Sequence, residues 1–191
     1  MRKKDPYFFG YGSLVNRDTH QYGDTHPARL GGWRRIWRHT DLRPVAYLTV
    51  VPDPDCEIDG LIAHVPGGDW AALDQREHAY DRVDANAAIT HPKPDPIDVA
   101  VYTVPHGKHG QPTVEHPVLL SYIDVVVQGY LREFGEAGVA RFFNTTAGWT
   151  APILDDRAAP IYPRHQTLSG VERDLVDDHL KTLNVTLIDK A

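Results

Sequence analysis

Residues 7–14, YFFGYGSL, are the first apolar run of the chain, and the run breaks off at two closely spaced glycines. Its aromatic residues predict a short buried strand. Gly10 and Gly12 tolerate positive φ and allow several backbone amides to converge on one point. The stretch therefore predicts a strand followed by a turn that binds an anion, such as a carboxylate or a phosphate. The plainer interpretation is a tight turn that only carries the chain out of the sheet.

The composition is typical of a globular protein. The chain has 191 residues, of which 41% are hydrophobic, and a mean hydropathy of -0.41, which suits one domain over residues 1–191. The net charge of -6 argues against a general nucleic-acid-binding protein. Cys56 is the single cysteine, which excludes an internal disulfide and a cysteine-based zinc site. Neither a signal peptide nor a membrane span is predicted, so we expect a soluble, cytoplasmic protein without a membrane partner.

The first half of the chain is predicted to be rich in strands. Alternating and β-branched residues predict strands at residues 29–40, 45–51, 57–65, 81–90 and 98–104. Pro-Asp-Pro-Asp at 52–55 indicates a turn, and Gly60 indicates a bulge or a close backbone approach. Asp69 is predicted to cap a helix over residues 70–80. The polar residues 16–27 predict a surface loop.

The second half is predicted to be mainly helical. Apolar residues at three- and four-residue steps predict a helix over 118–135 that ends at Gly135, and a shorter helix follows. Ser169 and Glu172 form a capping box for a polar helix. Irregular chain after residue 144 and a short strand at 185–188 complete the prediction. Strands with inserted helices, without βαβ alternation, predict an α+β fold with a mostly antiparallel β-barrel or curved sheet and flanking helices.

A basic stretch accompanies the second predicted strand. Arg34, Arg35 and Arg38 alternate with tryptophans and an isoleucine. We expect these arginines to lie on one solvated face of the strand. The alternative is a stripe of aromatic and basic residues that binds nucleic acid, which the acidic character of the whole chain disfavours.

Glu77 is a carboxylate on an otherwise apolar helix face. On a helical wheel, Trp70, Leu73, Glu77 and Tyr80 fall within about an 80° arc, so Glu77 is predicted to face inward. Burial and the negative end of the helix dipole would both raise its pKa. A carboxyl group tuned in this way can take and return a proton near neutral pH. The alternative is an exposed glutamate at a frayed helix end, paired with one of its charged neighbours, Arg76, His78 or Arg82.

The glycine-rich stretch and Glu77 together resemble the gamma-glutamylcyclotransferase superfamily, which includes the AIG2-like and ChaC-like proteins. Residues 9–14, FGYGSL, are similar to the family's loop, and residues 73–77, LDQRE, are similar to its glutamate segment. Further similarities are Ala100-Val101-Tyr102 in a strand and Ser121-Tyr122 at the head of a helix. The resemblance covers about residues 7–135, and we expect residues 144–191 to be a subgroup-specific tail packed on that part. His78 departs from a pattern in which many members have glycine after the glutamate, which leaves the substrate open.

The resemblance implies an enzyme of the amidine-lyase or acyltransferase type that cyclises a gamma-glutamyl amide, such as glutathione, to 5-oxoproline. Glu77 would transfer the protons. The backbone of Tyr11, Gly12, Ser13 and Leu14 would bind a substrate carboxylate or the oxyanion in preference to a phosphate. The tyrosines Tyr102 and Tyr122, and also Tyr80, would contact the substrate through their hydroxyl groups. No metal or cofactor is implied, because the α-amine of the substrate is the nucleophile, and a homodimer is compatible with the resemblance.

Other functions fit the sequence less well. Ser13 lacks the glycine two positions later that the GxSxG elbow of serine hydrolases requires. The histidine pairs His20 with His26 and His106 with His109 have neither the HExxH form nor a neighbouring cysteine for zinc. The main alternative is a non-catalytic protein of the same fold that binds a small ligand or a protein partner. Glu77 separates the two hypotheses, because a binding protein needs no buried titratable group on that face.

Overall fold

The computed structural model describes residues 5–41, 43–104, 107 and 109–189. In this part of the chain the α-helices are α1 (Ala71–Arg76), α2 (Leu120–Asn144) and α3 (Gly170–Thr182). The strands are β1 (Asp5–Gly10), β2 (His26–Arg38), β3 (Tyr47–His64), β4 (Asp81–Asp84), β5 (Ile89–Thr90), β6 (Ile97–Thr103), β7 (Val118–Leu119), β8 (Thr146–Ala147), β9 (Ile153–Asp155) and β10 (Leu187–Asp189).

Seven of these strands form one curled, mixed sheet with helices beside it. Its order is β4-β6-β1-β3-β2-β5, and β8 pairs with β2. Strand β1 lies between β3, which is antiparallel to it, and β6, which is parallel. The remaining pairs are antiparallel except for β2 with β8. The predicted α+β class with a mostly antiparallel curved sheet is therefore confirmed. A smaller parallel sheet has the order β10-β9-β7.

The aromatic residues of β1 face two different clusters, because successive side chains of a strand point to opposite faces. Tyr7 and Phe9 belong to the main core, which α2 covers. Phe8 belongs to a smaller cluster with Leu73 of α1 and Tyr102 of β6. Strand β1 thus holds α1, and the residue that follows it, next to the glycine-rich loop.

The predicted turn at residues 52–55 is wrong. Strand β3 continues through it for 18 residues, and Pro52 is paired with Trp33 of β2. Proline has no backbone N–H to donate, so it is tolerated where a strand has a free side. Strand β1 pairs only with residues 61–64 of β3, which leaves one side of the Pro52 region without that neighbour. Asp53 accepts a hydrogen bond from Arg34 at 2.5 Å there.

Three other elements differ from the prediction. Helix α1 ends at Arg76, not at residue 80, although Asp69 does accept a hydrogen bond from the first helical amide, at 3.0 Å. The predicted strand 81–90 is two strands separated by a turn, in which the Ala88 amide donates to the Ala85 carbonyl at 3.0 Å and the Asn86 side chain bonds to Asp84 of β4 and to the Val99 amide of β6. The predicted surface loop 16–27 contains the buried Asn16, whose amide group donates to the Val125 carbonyl of α2 at 3.0 Å.

The helices of the second half follow the prediction closely. Gly135 has a φ of 65° and interrupts the helical conformation inside α2, as predicted from its position. Both hydrogen bonds of the Ser169–Glu172 capping box are present at the start of α3. The final strand β10 forms, and it pairs parallel to β9.

Gly60 confirms the predicted close approach and supplies a test of it. A Cβ atom at Gly60 would lie 2.4 Å from the carbonyl oxygen of Gly10 and 2.5 Å from the Phe9 ring. We expect Gly60→Ala to lower the free energy of unfolding by about 1–3 kcal/mol, because the backbone of β1 must shift. Gly31→Ala is the matched control, since its Cβ would meet only the Ala88 oxygen, at 3.7 Å. Equal losses of stability in urea unfolding would contradict the close approach.

Candidate active site

The glycine-rich loop folds back on itself directly after β1. A Cβ atom at Gly10 would lie 2.6 Å from the Cβ atom of Leu14, so only glycine allows the chain to return this closely. A 3₁₀-helix, Ser13–Val15, follows, and the first amides of such a helix have no partner within it. The amide of Ser13 faces the hydroxyl oxygen of Tyr122 at 3.4 Å. The loop therefore presents backbone donors beside the head of α2.

A buried arginine supports the loop from below. Arg35 is fully buried and donates to the Tyr11 carbonyl at 3.1 Å and to the Asp59 carbonyl at 2.9 Å. The hydroxyl of Tyr130 lies 2.9 Å and 2.6 Å from the same two oxygens. The prediction of one solvated arginine face is wrong, because neighbours such as Arg34 and Arg35 point to opposite faces of a strand. The sequence analysis did not identify Arg35 as a buried residue. The one signal for it is Trp37, two residues later on the same face of β2, which is buried.

The predicted site residues meet in one narrow cavity of about 30 Å³ under the loop. Its lining includes every one of them, namely Tyr11, Gly12, Ser13, Leu14, Glu77, Tyr80, Tyr102 and Tyr122. A second cavity of about 100 Å³ shares four of these residues, which are Ser13, Glu77, Tyr80 and Tyr122. The four shared residues thus form a boundary between two adjoining spaces.

Glu77 is the residue that follows α1, and its amide donates to the Leu73 carbonyl at 2.9 Å. Its side chain is 17% exposed and lies 3.2 Å from the guanidinium of Arg76. Burial raises the pKa of this carboxyl group, and Arg76, Arg43 and Arg164 oppose that shift without cancelling it. Glu77 therefore faces inward as predicted, and it also makes the ion pair of the alternative interpretation.

The residues that build this cavity lie within a segment that matches a known sequence family. A model of the family described as "Gamma-glutamyl cyclotransferase, AIG2-like" matches residues 8–123, more than half of the chain, and these include the loop, Glu77, Tyr102 and Tyr122. The chain belongs to this family. A search of curated protein sequences finds no match to this chain.

Solved structures share the fold at low sequence identity. A gamma-glutamyl cyclotransferase is 13% identical, with a TM-score of 0.57 over 92% of this chain and 99% of that chain. An uncharacterized protein from Homo sapiens is 13% identical, with a TM-score of 0.56 over 90% of this chain and 97% of that one. YkqA from Bacillus subtilis is 15% identical, with a TM-score of 0.58 over 74% of this chain and 54% of its own. At these identities the similarity shows the fold alone.

Three tyrosines of this family member use their hydroxyl groups to hold the cavity together. Tyr11 donates to the Tyr102 carbonyl at 2.7 Å, and Tyr80 donates to the Leu48 carbonyl at 2.8 Å. The hydroxyl of Tyr102 donates to the Asp74 carboxylate at 2.5 Å. Tyr102 thus lines the cavity with its hydroxyl turned to α1, whereas a substrate contact was predicted for that group.

Tyr122 differs from the other tyrosines of the cavity. Its hydroxyl oxygen accepts from the Ser13 amide, which leaves the phenolic proton to be donated elsewhere. Burial and the neighbouring Tyr162 raise the pKa of Tyr122, so the phenol stays protonated at neutral pH. Tyr122 is therefore a neutral hydrogen-bond donor at the boundary between the two cavities.

Two of the histidines considered for zinc, His20 and His26, have other partners. His20 lies 3.0 Å from the Leu14 carbonyl, and His26 lies 2.6 Å from an oxygen of Asp24. His106 is outside the described residues. Within residues 5–41, 43–104, 107 and 109–189, no three histidine, cysteine, aspartate or glutamate side chains are grouped so that they could hold a metal ion.

None of the helices in this part of the chain is long and apolar enough to span a membrane.

A double-mutant cycle tests the contact between the loop and α2. A Cβ atom at Gly12 would lie 2.5 Å from the Tyr122 hydroxyl oxygen, but 3.5 Å or more from any other atom outside that side chain. We expect Gly12→Ala to cost about 1–3 kcal/mol of stability in the parent. In a Tyr122→Phe background the cost should fall by at least about 1 kcal/mol, since the oxygen is absent. Strictly additive effects in urea unfolding would contradict the contact.

The raised pKa of Glu77 predicts how stability depends on pH. Its folded-state pKa lies above the ordinary value of 4.5, so the folded protein holds a proton that the unfolded chain has already lost. Parent stability therefore falls as the pH rises from about 4.5 through the folded-state pKa. Glu77→Gln lacks this dependence, and we expect its stability relative to the parent to increase from acidic to neutral pH. A constant difference in urea unfolding at several pH values would contradict the raised pKa.

Proposed function

We propose that this protein is a cyclotransferase that converts a gamma-glutamyl amide into 5-oxoproline and a free amine. The observation that carries the proposal is the meeting of Glu77 with the loop amides in one cavity. Membership of the AIG2-like family supports it. The fold similarity to a gamma-glutamyl cyclotransferase is consistent with it.

The reaction requires little beyond positioning and proton transfer. The α-amino nitrogen of the substrate forms a bond to its own γ-carbonyl carbon, and the bond from that carbon to the amide nitrogen breaks. Two protons leave the α-ammonium group, and the departing nitrogen gains two, so the products are 5-oxoproline and an alkylammonium ion. No water is consumed and nothing is oxidised or reduced. The protein accelerates the cyclisation by holding the glutamyl chain in a conformation close to that of the ring.

Glu77 suits the proton transfers in this scheme. Its carboxylate takes a proton from the α-ammonium group, which makes the nitrogen nucleophilic, and then returns a proton to the leaving nitrogen. A pKa raised by burial makes the carboxylate a stronger base than an exposed glutamate. The same group can then act as base and as acid in one turnover.

The loop and Tyr122 suit the oxygen atoms of the substrate. The amides at the start of the 3₁₀-helix Ser13–Val15 can donate to the oxyanion that forms on the γ-carbonyl, or to the α-carboxylate. Tyr122, as a neutral phenol, can add a further donor. Arg35 holds the Tyr11 carbonyl and so keeps the loop in place before the substrate arrives.

A non-catalytic ligand-binding protein is the second candidate. The observation in its favour is the ion pair of Glu77 with Arg76 at 3.2 Å, because a neighbouring guanidinium favours the charged carboxylate and makes it take up a proton less readily. The two candidates differ in whether 5-oxoproline is released.

The test is the release of 5-oxoproline from a panel of gamma-glutamyl amides, including glutathione and gamma-glutamyl amines. We expect the parent to turn over at least one member and Glu77→Gln to fold normally but lose about 10²-fold or more in kcat/KM, because it cannot transfer a proton. Glu136→Gln, which changes an exposed glutamate of α2, is the control and should retain activity. Equal release by Glu77→Gln and the parent would exclude the proposed role of Glu77. A parent that releases nothing from any member would support the binding protein.

A further inference from the structure

The second cavity has a strongly cationic wall. Besides the four residues that it shares with the first cavity, its lining contains three arginines, which are Arg43, Arg76 and Arg164. Glu77 is the one acidic side chain among the described residues that line it. The second cavity therefore has a net positive charge next to Glu77.

Two of the three arginines have no carboxylate partner among the described residues. Arg76 donates to the Thr19 carbonyl at 3.0 Å and pairs with Glu77. Among the residues that the structure describes, no carboxylate lies within ion-pair distance of Arg43 or Arg164. Arg43 lies over the ring of Tyr47, 5.7 Å from its centre. Both guanidinium groups remain available to an anion that enters the cavity.

A well-anchored segment positions Arg164. The carboxylate of Asp156, which is 3% exposed, accepts from the Ser121 amide at 2.8 Å, from the Ser121 hydroxyl at 2.6 Å and from the Ile161 amide at 2.8 Å. The ring of Tyr162 packs edge-on against Tyr122 at 5.0 Å. Residues 156–164 are thereby fastened to the head of α2. This segment lies beyond the residues that the family model matches.

The reaction scheme places the leaving group at this wall. The glutamyl part must reach the loop amides, and Glu77 must reach the nitrogen that departs. The group attached to that nitrogen therefore extends past Glu77 into the second cavity, which adjoins the first at Glu77. A carboxylate at its far end would meet two guanidinium groups, which bind carboxylates through paired, charge-assisted hydrogen bonds.

We propose that Arg43 and Arg164 form a leaving-group subsite that selects gamma-glutamyl substrates whose released amine bears a carboxylate. This inference rests on the proposed function. A leaving group that ends in an ammonium ion would meet like charge at this wall, and a neutral one would leave both guanidinium groups unpaired. The tail beyond residue 144 then has a role in substrate choice as well as in packing.

A matched pair of substrates tests the subsite. Gamma-glutamyl-alanine and gamma-glutamyl-alaninamide differ only in whether the leaving group ends in a carboxylate or in a neutral carboxamide. We expect the parent to prefer the carboxylate by about tenfold or more in kcat/KM, the size of one charge-assisted hydrogen bond. Arg164→Gln and Arg43→Gln should each lower kcat/KM for the carboxylate substrate about tenfold more than for the amide. Arg173→Gln, which removes an exposed arginine of α3 outside the cavity, is the control and should keep the parent's preference.

Equilibrium binding of the same two ligands to Glu77→Gln separates this inference from the proposed function. Preferential binding of the carboxylate ligand, lost when Arg164→Gln is added, supports the subsite even if the parent releases no 5-oxoproline. Equal binding and equal turnover of the two ligands would overturn the subsite while leaving the cyclotransferase function intact. Failure of both ligands to bind or react would overturn the subsite, while the panel of gamma-glutamyl amides decides the proposed function separately.

Discussion

The rest of the candidate site depends on one buried guanidinium group. Arg35 of β2 is fully buried and donates to the carbonyls of Tyr11 and Asp59, to the hydroxyl of Tyr130 and to that of Thr145. A buried charge is costly unless its donors are satisfied, and here neutral oxygens from the loop, from β3 and from α2 satisfy them. This arrangement ties three separate parts of the chain to one point. The glycine-rich loop is therefore held in place from inside the protein, beside the cavity that it lines.

The pKa of Glu77 is set by burial and by nearby positive charges, which act in opposite directions. The small cluster that contains Phe8 and Leu73 docks α1 beside the loop, and this places the following residue at the boundary of two cavities. Burial alone would favour the neutral acid, whereas the surrounding arginines favour the carboxylate. A group held between these influences is suited to exchange protons. The same arginines create the charge that a second anionic group on a ligand would need.

The two cavities are lined by different parts of the chain. The narrow one is lined by residues between Phe9 and Tyr122, all of which lie within the part that the family model matches. The larger one takes Tyr162 and Arg164 from beyond that match. The two cavities thus share Glu77, whereas part of the wall of the larger one lies outside the family match. His78, which departs from the family pattern, lines another surface pocket together with Tyr80.

Patterns among neighbouring residues were sufficient to predict much of the structure. The strand and glycine loop at residues 7–14, the inward position of Glu77, the break at Gly135 and the cap at Ser169 depend on neighbours a few residues away, and the sequence by itself determined them. Its resemblance to a known family identified most of the residues that line the narrow cavity, although not Leu48. Only the tertiary structure decided the burial of Arg35, the partner of the Tyr102 hydroxyl, the passage of β3 through its prolines and the arrival of Arg164 at the site. Each of these depends on partners far along the chain, and no periodicity or spacing records which distant groups will meet when the sheet curls.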